Sequence, residues 1–280
     1  MGIGHWRRAA IRVSALIGGM AALALAGAAQ AAVGDLLVAP TRVVLDGPRG
    51  TEVFLNNIGA EPATYRISLE LRRMNPDGTL AEITADNADE REQKALALIR
   101  YNPRKVVLAP NQPQSIKIGL TPTPDLADGE YRVHMLFRAI PNAKSVVPDP
   151  KADNGIAISL TPIYGITIPV IVRKGNLTAK AVLASPKLVR DAEGDYLSLK
   201  LTRTGDRSVY GRVRVMRNGS DKPLVDARGI AVYTEVGERE VRLPVDPAVA
   251  AQLKGPVKIQ YIEETDTGGG VLAEISGVVG

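Results

Sequence analysis

Apolar and polar residues alternate with a period of two along most of this chain, and the apolar positions are rich in Val, Ile and Leu. That pattern predicts half-buried β-strands rather than helices. In the first half it places strands at Leu36–Val38, Arg42–Leu45, Thr51–Asn56, Thr64–Arg72, Val106–Leu108, Gln114–Leu120 and Glu130–Ile140. Turn formers separate them at Asp46-Gly47-Pro48, Asn57–Pro62, Asn75-Pro76-Asp77-Gly78 and Asp128-Gly129. One segment breaks the pattern. Asn87–Leu98 is rich in helix formers, and Asn87 with Glu90 fits a capping box, which predicts a helix of about two or three turns. Lys174-Gly175-Asn176 reads as a linker. Seven more strands follow, at Leu177–Ala184, Tyr196–Arg203, Tyr210–Arg217, Gly229–Glu235, Glu240–Val245, Val257–Glu263 and Val271–Val278, with a helical turn over Asp246–Leu253. Two blocks of short strands closed by frequent turns predict an all-β chain of two sandwiches.

The strand at Ile156–Arg173 departs from this rhythm by its length. Its even positions read Ile156, Ile158, Leu160, Pro162, Tyr164, Ile166, Ile168, Val170 and Val172, an apolar face, while the odd positions are mostly small or polar. At about 3.3 Å per residue such a strand spans roughly 55–60 Å, beyond the usual 3–10 residues. One small sandwich cannot cover all of that face, so the residues nearest the preceding turn-rich loop, 142–155, are expected to be exposed. Pro162 and Pro169 each remove a ladder donor, which suits a sheet edge or a bulge. An edge strand with a greasy face is the geometry of β-strand addition.

Composition sharpens the picture at three points. The first residues carry Arg7, Arg8 and Arg12, then an apolar run from Val13 to Ala26, then Ala29-Gln30-Ala31. These are the parts of a secretory signal peptide with cleavage before Ala32; the run is short for a bilayer span of about 20 residues. Without the leader's three arginines, the 35 Lys+Arg fall to 32 against 30 Asp+Glu, so the net charge drops from +5 to +2. The overall charge is therefore no argument for a polyanionic partner such as nucleic acid, and no basic cluster with interleaved aromatics occurs. There is no cysteine, so an exported chain must hold together by core packing alone. The only tryptophan, Trp6, lies in the leader, which excludes an immunoglobulin domain built on a Cys…Trp…Cys core.

Catalytic chemistry finds little to work with. His134 is the only histidine after the leader, so a Ser-His-Asp triad would have to use it, and its place in an alternating strand predicts a half-buried structural residue. No G-x-S-x-G, Gly-rich phosphate loop or H-E-x-x-H occurs. Glu263 and Glu264 are adjacent on a strand, face opposite ways and do not make a carboxylate pair for glycoside hydrolysis. Gly268-Gly269-Gly270 reads as a flexible hairpin. A non-enzyme with no cofactor and no metal is expected.

Several short motifs, in order and at matching spacing, carry a resemblance. They are Pro40-Thr41-Arg42-Val43-Val44-Leu45-Asp46-Gly47, Pro103-Arg104 with Leu108-Ala109-Pro110, Gln114-Ser115-Ile116, Glu130-Tyr131-Arg132 through Arg138-Ala139-Ile140-Pro141, and Ile168–Arg173. Over the whole mature chain the sequence resembles the PapD-like periplasmic chaperones of chaperone–usher pili. The resemblance implies two immunoglobulin-like β-sandwich domains in a boomerang arrangement: a signal peptide at 1–31, a first domain with the donor strand at 32–173, and a second domain at 174–280. It implies a periplasmic chaperone that stabilises pilin subunits by lending a strand and delivers them to an outer-membrane usher, with no nucleic acid and no stable membrane insertion after signal cleavage. Ile156, Ile158, Leu160 and Tyr164 would fill the pilin's groove, and Arg42 would grip its terminal carboxylate. Arg173, Glu130 and Glu264 would form an interdomain salt bridge. One departure stands out: the family's lysine a few residues before the position of Arg173 is missing, with Thr167 and Pro169 in that region and no lysine from Ile156 to Val172. Either Arg132 on the neighbouring strand supplies the charge or the subunit is anchored differently. The competing readings are a secreted or surface immunoglobulin-like adhesion module and a hydrolase using His134.

Overall fold

The structure, a computed structural model, describes residues 36–141, 163–264 and 269–279. The signal-peptide segment, the 142–155 loop, Ile156, Ile158, Leu160, Pro162 and Gly268 lie outside the described residues. All described elements fall in one compact unit, Val33–Gly280.

The first sandwich is built from β1 (Leu36–Ala39), β2 (Val43–Leu45), β3 (Thr51–Asn57), β4 (Ala63–Met74), β5 (Leu80–Ile83), helix α1 (Glu90–Leu98), β6 (Ile99–Asn102), β7 (Lys105–Leu108), β8 (Pro113–Leu120), β9 (Gly129–Ile140) and β10 (Gly165–Lys174). One sheet runs β1-β3-β8-β6; the other runs β2-β10-β9-β4-β5, with β7 also on β4. The second sandwich is built from β11 (Ala179–Asp191), β12 (Gly194–Gly205), β13 (Val209–Arg217), β14 (Pro223–Val232), β15 (Glu238–Pro244), helix α2 (Pro247–Leu253), β16 (Gly255–Glu263) and β17 (Val271–Val279). Its sheets run β11-β12-β15 and β14-β13-β16-β17. These are two immunoglobulin-like β-sandwiches.

Alternation explains why each sheet turns one face into its own core. Along β9, Tyr131, Val133, Met135, Phe137 and Ala139 are buried in the first core, where they meet Ile168, Val170 and Val172 from β10. Leu197, Leu199, Leu201, Val213 and Val215 do the same in the second core. A fully buried aliphatic side chain contributes roughly 1.5–3 kcal/mol over an exposed one. With no disulfide to restrict the unfolded chain, these two clusters carry the stability of each half.

Several elements differ from the sequence expectation, each for a local reason. The capping box at α1 is made by Asp89 and Glu92, not by Asn87 and Glu90: Glu92 N–H donates to Asp89 at 2.8 Å and the Asp89 N–H returns to the Glu92 carboxylate at 2.8 Å. Arg73 on β4 grips the same Glu92 through two bonds of 2.6 and 2.7 Å, which fixes the helix start. Strands β5 and β6 were not expected: β5 buries none of its residues, and β6 follows α1 without a break, so neither shows an alternation of its own. Strand β11 runs past Ala184 to Asp191, because Ser185-Pro186 forms a bulge (Ser185 φ +51°) instead of ending the strand. Gly229 opens no strand but sits within β14 at φ +77°, beside a register shift. The linker glycine Gly175 has φ +88°, and an added Cβ there would collide with the Asp128 carboxylate.

Replacing Asp89 with alanine is expected to lower the unfolding free energy by about 1 kcal/mol. Asn87→Ala should change it by less than about 0.5 kcal/mol. Urea denaturation of the two variants checks which residue caps the helix.

Candidate functional site: the cleft between the sandwiches

The face of the β2-β10-β9-β4 sheet that turns away from the first core meets the second sandwich. At its base lies Glu130, only 2% exposed. Its Oε2 accepts from Arg173 Nε at 3.0 Å, from the Ser208 N–H at 3.0 Å and from Ser208 Oγ at 2.9 Å. Ser208 belongs to the second sandwich, so this carboxylate ties the halves together. Of the three residues expected to share a salt bridge, the structure brings Arg173 and Glu130 into contact. Glu264 stands apart: its backbone N–H donates to the Tyr210 carbonyl at 3.0 Å, and its carboxylate has no ion pair among the described residues. The acid that is bridged here is its neighbour Glu263, held by Arg207 through bonds of 2.5 and 3.2 Å within the second sandwich. Strand β16 carries a register shift between Tyr261 and Ile262, just ahead of these residues.

A second tie lies beside the first. Arg132 donates to both oxygens of Glu235, at 2.5 and 3.0 Å, and its guanidinium stacks 3.7 Å over the Tyr233 ring. Glu235 also accepts from the Met74 N–H at 2.7 Å. Arg132 is thus already paired and stacked, which removes it as a spare cation for a ligand. Between the two ties, Met74 and Ile171 of the first sandwich pack on Ala231 and Tyr233 of the second. Sequence reading missed Ser208 and Glu235: Ser208 lies between strands, and Glu235, expected at the end of a strand, sits in the turn after β14, which ends at Val232. Arg203 positions both turns: its guanidinium, 7% exposed, donates to the Gly205, Arg207 and Thr234 carbonyls at 2.8, 3.1 and 3.2 Å.

His134 faces this interface and is 1% exposed, not half-buried, because the second sandwich covers it. The Tyr233 ring meets it edge-on, centroids 6.3 Å apart. Neither ring nitrogen has a hydrogen-bond partner among the described residues, so it has no nucleophile to activate and no carboxylate to orient it. Burial first, then the nearby Arg132, Arg72 and Arg42 charges, push its pKa down from 6.5 to about 3.

Arg42 lies immediately before β2, at the mouth of a cleft of about 320 Å³ that is also lined by Arg173, Arg207, Tyr210, Glu263 and Glu264. Its guanidinium stacks 4.6 Å over the Tyr210 ring, and Nη2 reaches Ser208 Oγ at 3.4 Å. Arg173 Nη2 approaches the same Ser208 oxygen at 3.5 Å, so two guanidiniums converge on one hydroxyl. Arg42 Nη1 is buried and unbonded among the described residues. Burial draws its pKa below the ordinary guanidinium value, against the pull of Tyr233 and Glu130. A half-buried arginine with a free donor and no carboxylate of its own is suited to a carboxylate brought from outside.

The edge of β10 completes the site. It pairs with β9 over Gly165–Lys174, but parallel β2 covers its other side only over Val170–Val172. From Gly165 to Pro169 that edge is open among the described residues, and Arg42 stands where the cover ends. Tyr164, just before β10, is 49% exposed, and its carbonyl still accepts from the Ala139 N–H at 2.9 Å.

Fold and cleft together define a class: a two-sandwich all-β protein with an open strand edge ending at a half-buried arginine. No protein-family model matches the chain, and no curated protein matches it in sequence. Among solved structures it is similar to the YadV chaperone, with 17% identity and a TM-score of 0.46 over 87% of this chain and 99% of that one. It is also similar to a chain of the CsuC–CsuE chaperone–tip adhesion subunit pre-assembly complex from the archaic chaperone-usher Csu pili of Acinetobacter baumannii, with 13% identity and a TM-score of 0.45 over 88% and 99%. The Pseudomonas aeruginosa CupB2 chaperone aligns with 13% identity and a TM-score of 0.43 over 87% and 100%.

The His134 shift has a signed consequence. Between its unfolded pKa near 6.5 and its folded pKa near 3, the unfolded chain binds the proton and the folded chain does not. Stability is therefore unaffected above the unfolded value and falls as pH drops through that window, by several kcal/mol in total. Chemical denaturation at stepped pH should show this slope in the native protein and a much shallower one in His134→Leu.

Proposed function

We propose that this protein is a periplasmic chaperone that binds pilin subunits by lending them the strand leading into β10, and that it delivers them to an outer-membrane usher. The observation that carries the reading is the junction of edge and arginine: among the described residues β10 is uncovered from Gly165 to Pro169, and Arg42 sits at the end of that opening. A subunit strand pairing along this edge, with its C-terminus toward the base of β10, brings its terminal carboxylate to the Arg42 guanidinium at the cleft. Arg173, which meets Arg42 at Ser208 Oγ, lies close by but is committed to Glu130, so Arg42 is the anchor that takes the carboxylate. Main-chain pairing supplies affinity, and the alternate side chains of the donor strand supply fit. In this reading Ile156, Ile158, Leu160 and Tyr164 fill the subunit's groove. Each large side chain gains roughly 1.5–3 kcal/mol gross, offset in part by association and ordering costs. Glu130 and Arg173 set the angle between the domains, here 32–173 and 174–280, and Glu264 lines the cleft without a bridging role. The role involves no reaction chemistry and no cofactor.

Co-expression with the pilin subunits tests it. Leu160→Asp with Tyr164→Asp should leave a folded chaperone that no longer co-purifies with subunits. Arg42→Ala should weaken capture strongly and Arg42→Lys only in part, since a lysine lacks the fork of donors. Retention of subunits by the double variant would eliminate strand donation and leave the adhesion-module reading.

A further inference from the structure

Across the outer face of the first sandwich, three cations stand side by side. The register pairs Lys105 on β7 with Arg66 on β4, and Arg66 with Arg138 on β9. Residues directly opposite one another point to the same face. Their neighbours Tyr65, Ile67, Val106, Phe137 and Ala139 are buried, so all three side chains project outward, and all three are exposed. None makes a hydrogen bond or ion pair among the described residues, unlike Arg72, Arg73 and Arg132 on the same strands. Like charges placed directly opposite are destabilising in a sheet. The fold therefore keeps an unfavourable row that nothing within the described residues relieves.

The row is one residue deep. On one side lie Val107, Thr64 and Ile140, with Val107 65% exposed; on the other lie Ser68, Leu136 and Thr167. At about 4.8 Å between strands the three cations span roughly 10 Å. A narrow line of charge beside exposed apolar surface suits an extended chain crossing the strands, not a broad anionic plane. The next position in the row is Gly165 on β10, which puts no side chain in the way. We infer that Lys105, Arg66 and Arg138 form a docking row for an acidic polypeptide segment of a partner protein, laid across β7, β4 and β9. The row lies six residues along β9 from Arg132 and requires neither the strand edge nor Arg42, so it stands or falls separately from the chaperone reading.

The test uses the full chain and a fluorescein-labelled decaglutamate peptide as probe. Lys105→Gln/Arg66→Gln/Arg138→Gln should lose roughly tenfold in peptide affinity at low salt, and the wild-type binding should weaken steadily as salt is raised. A control variant of equal charge change, Lys180→Gln/Lys222→Gln/Arg228→Gln, should lose no more than about twofold. Arg66→Lys/Arg138→Lys should keep most of the binding. The row variant should also melt no lower than wild type, because it removes repulsion. Equal loss in both triple variants, or no binding by wild type, overturns the inference. So does tighter binding of anionic phospholipid vesicles or a single-stranded oligonucleotide through the same row. A markedly lower melting temperature of the row variant overturns its premise.

Discussion

A single carboxylate oxygen organises the contact between the two halves. Glu130 Oε2 takes one hydrogen bond from its own sandwich, through Arg173, and two from the other, through Ser208. A charge this deeply buried is costly to desolvate, and removing one partner of such a pair typically costs about 3–5 kcal/mol. The pair is therefore weak as a source of net stability but strict as a constraint on geometry. Because Arg173 closes β10 and Ser208 opens β13, satisfying Glu130 also fixes where the second sandwich meets the strand edge. Arg42 then inherits its position: its Nη2 reaches the same serine oxygen, and its ring partner Tyr210 lies two residues further along.

The interface around Glu130 is crowded with cations. Arg42, Arg132 and Arg173 all enter it, and His134 sits among them with both nitrogens unbonded. Arg132 is neutralised by Glu235 and Arg173 by Glu130. Arg42 is the one of these three that has no carboxylate partner among the described residues. That asymmetry gives a cleft an appetite for an anion, because a guanidinium already partly stripped of water gains more from an incoming carboxylate than a solvated one. Burial first, and that crowding second, keep His134 neutral, which spares the interface a further buried positive charge at neutral pH.

How far the sequence could be read depended on where information is periodic. The alternation in Glu130–Ile140 and in the second half of Ile156–Arg173 assigned inward and outward faces, and the inward set matches the first core. The position of Arg42 was marked by its motif, since Pro40-Thr41-Arg42 runs directly into β2; its role belongs to the proposed function. Ser208, Glu235 and Arg203 were not, because their roles come from turns brought together only by tertiary packing. The helix cap failed differently: the segment NADEREQ offers two boxes, Asn87 with Glu90 and Asp89 with Glu92, and local spacing does not rank them. Arg73, fourteen or more residues away on β4, decides between them by holding Glu92. Glu264 was expected in the bridge with Arg173 and Glu130; in the structure that bridge is made by Arg173 and Glu130 with Ser208, while the neighbouring Glu263 pairs with Arg207 inside the second sandwich.

The two faces of β10 are loaded unequally along its length, and this limits what its open edge can do. From Ile168 to Val172 the strand is held on both faces: Ile168, Val170 and Val172 enter the first core, and on the other face Ile171 enters the contact with the second sandwich while Pro169 is half-buried. Withdrawing that stretch would expose four large side chains at roughly 1.5–3 kcal/mol each, so the base of the strand cannot be exchanged for another. Toward Gly165 the burial thins, and β2 no longer covers the edge. An incoming strand can therefore add beside β10 but cannot replace it. Pro169, at the boundary between covered and open edge, has no N–H to offer a ladder. Under the proposed strand addition, pairing would be carried by the residues before it, leaving the charged group at the end of the added strand beside Arg42. In that arrangement the strand would supply register and the arginine the stop.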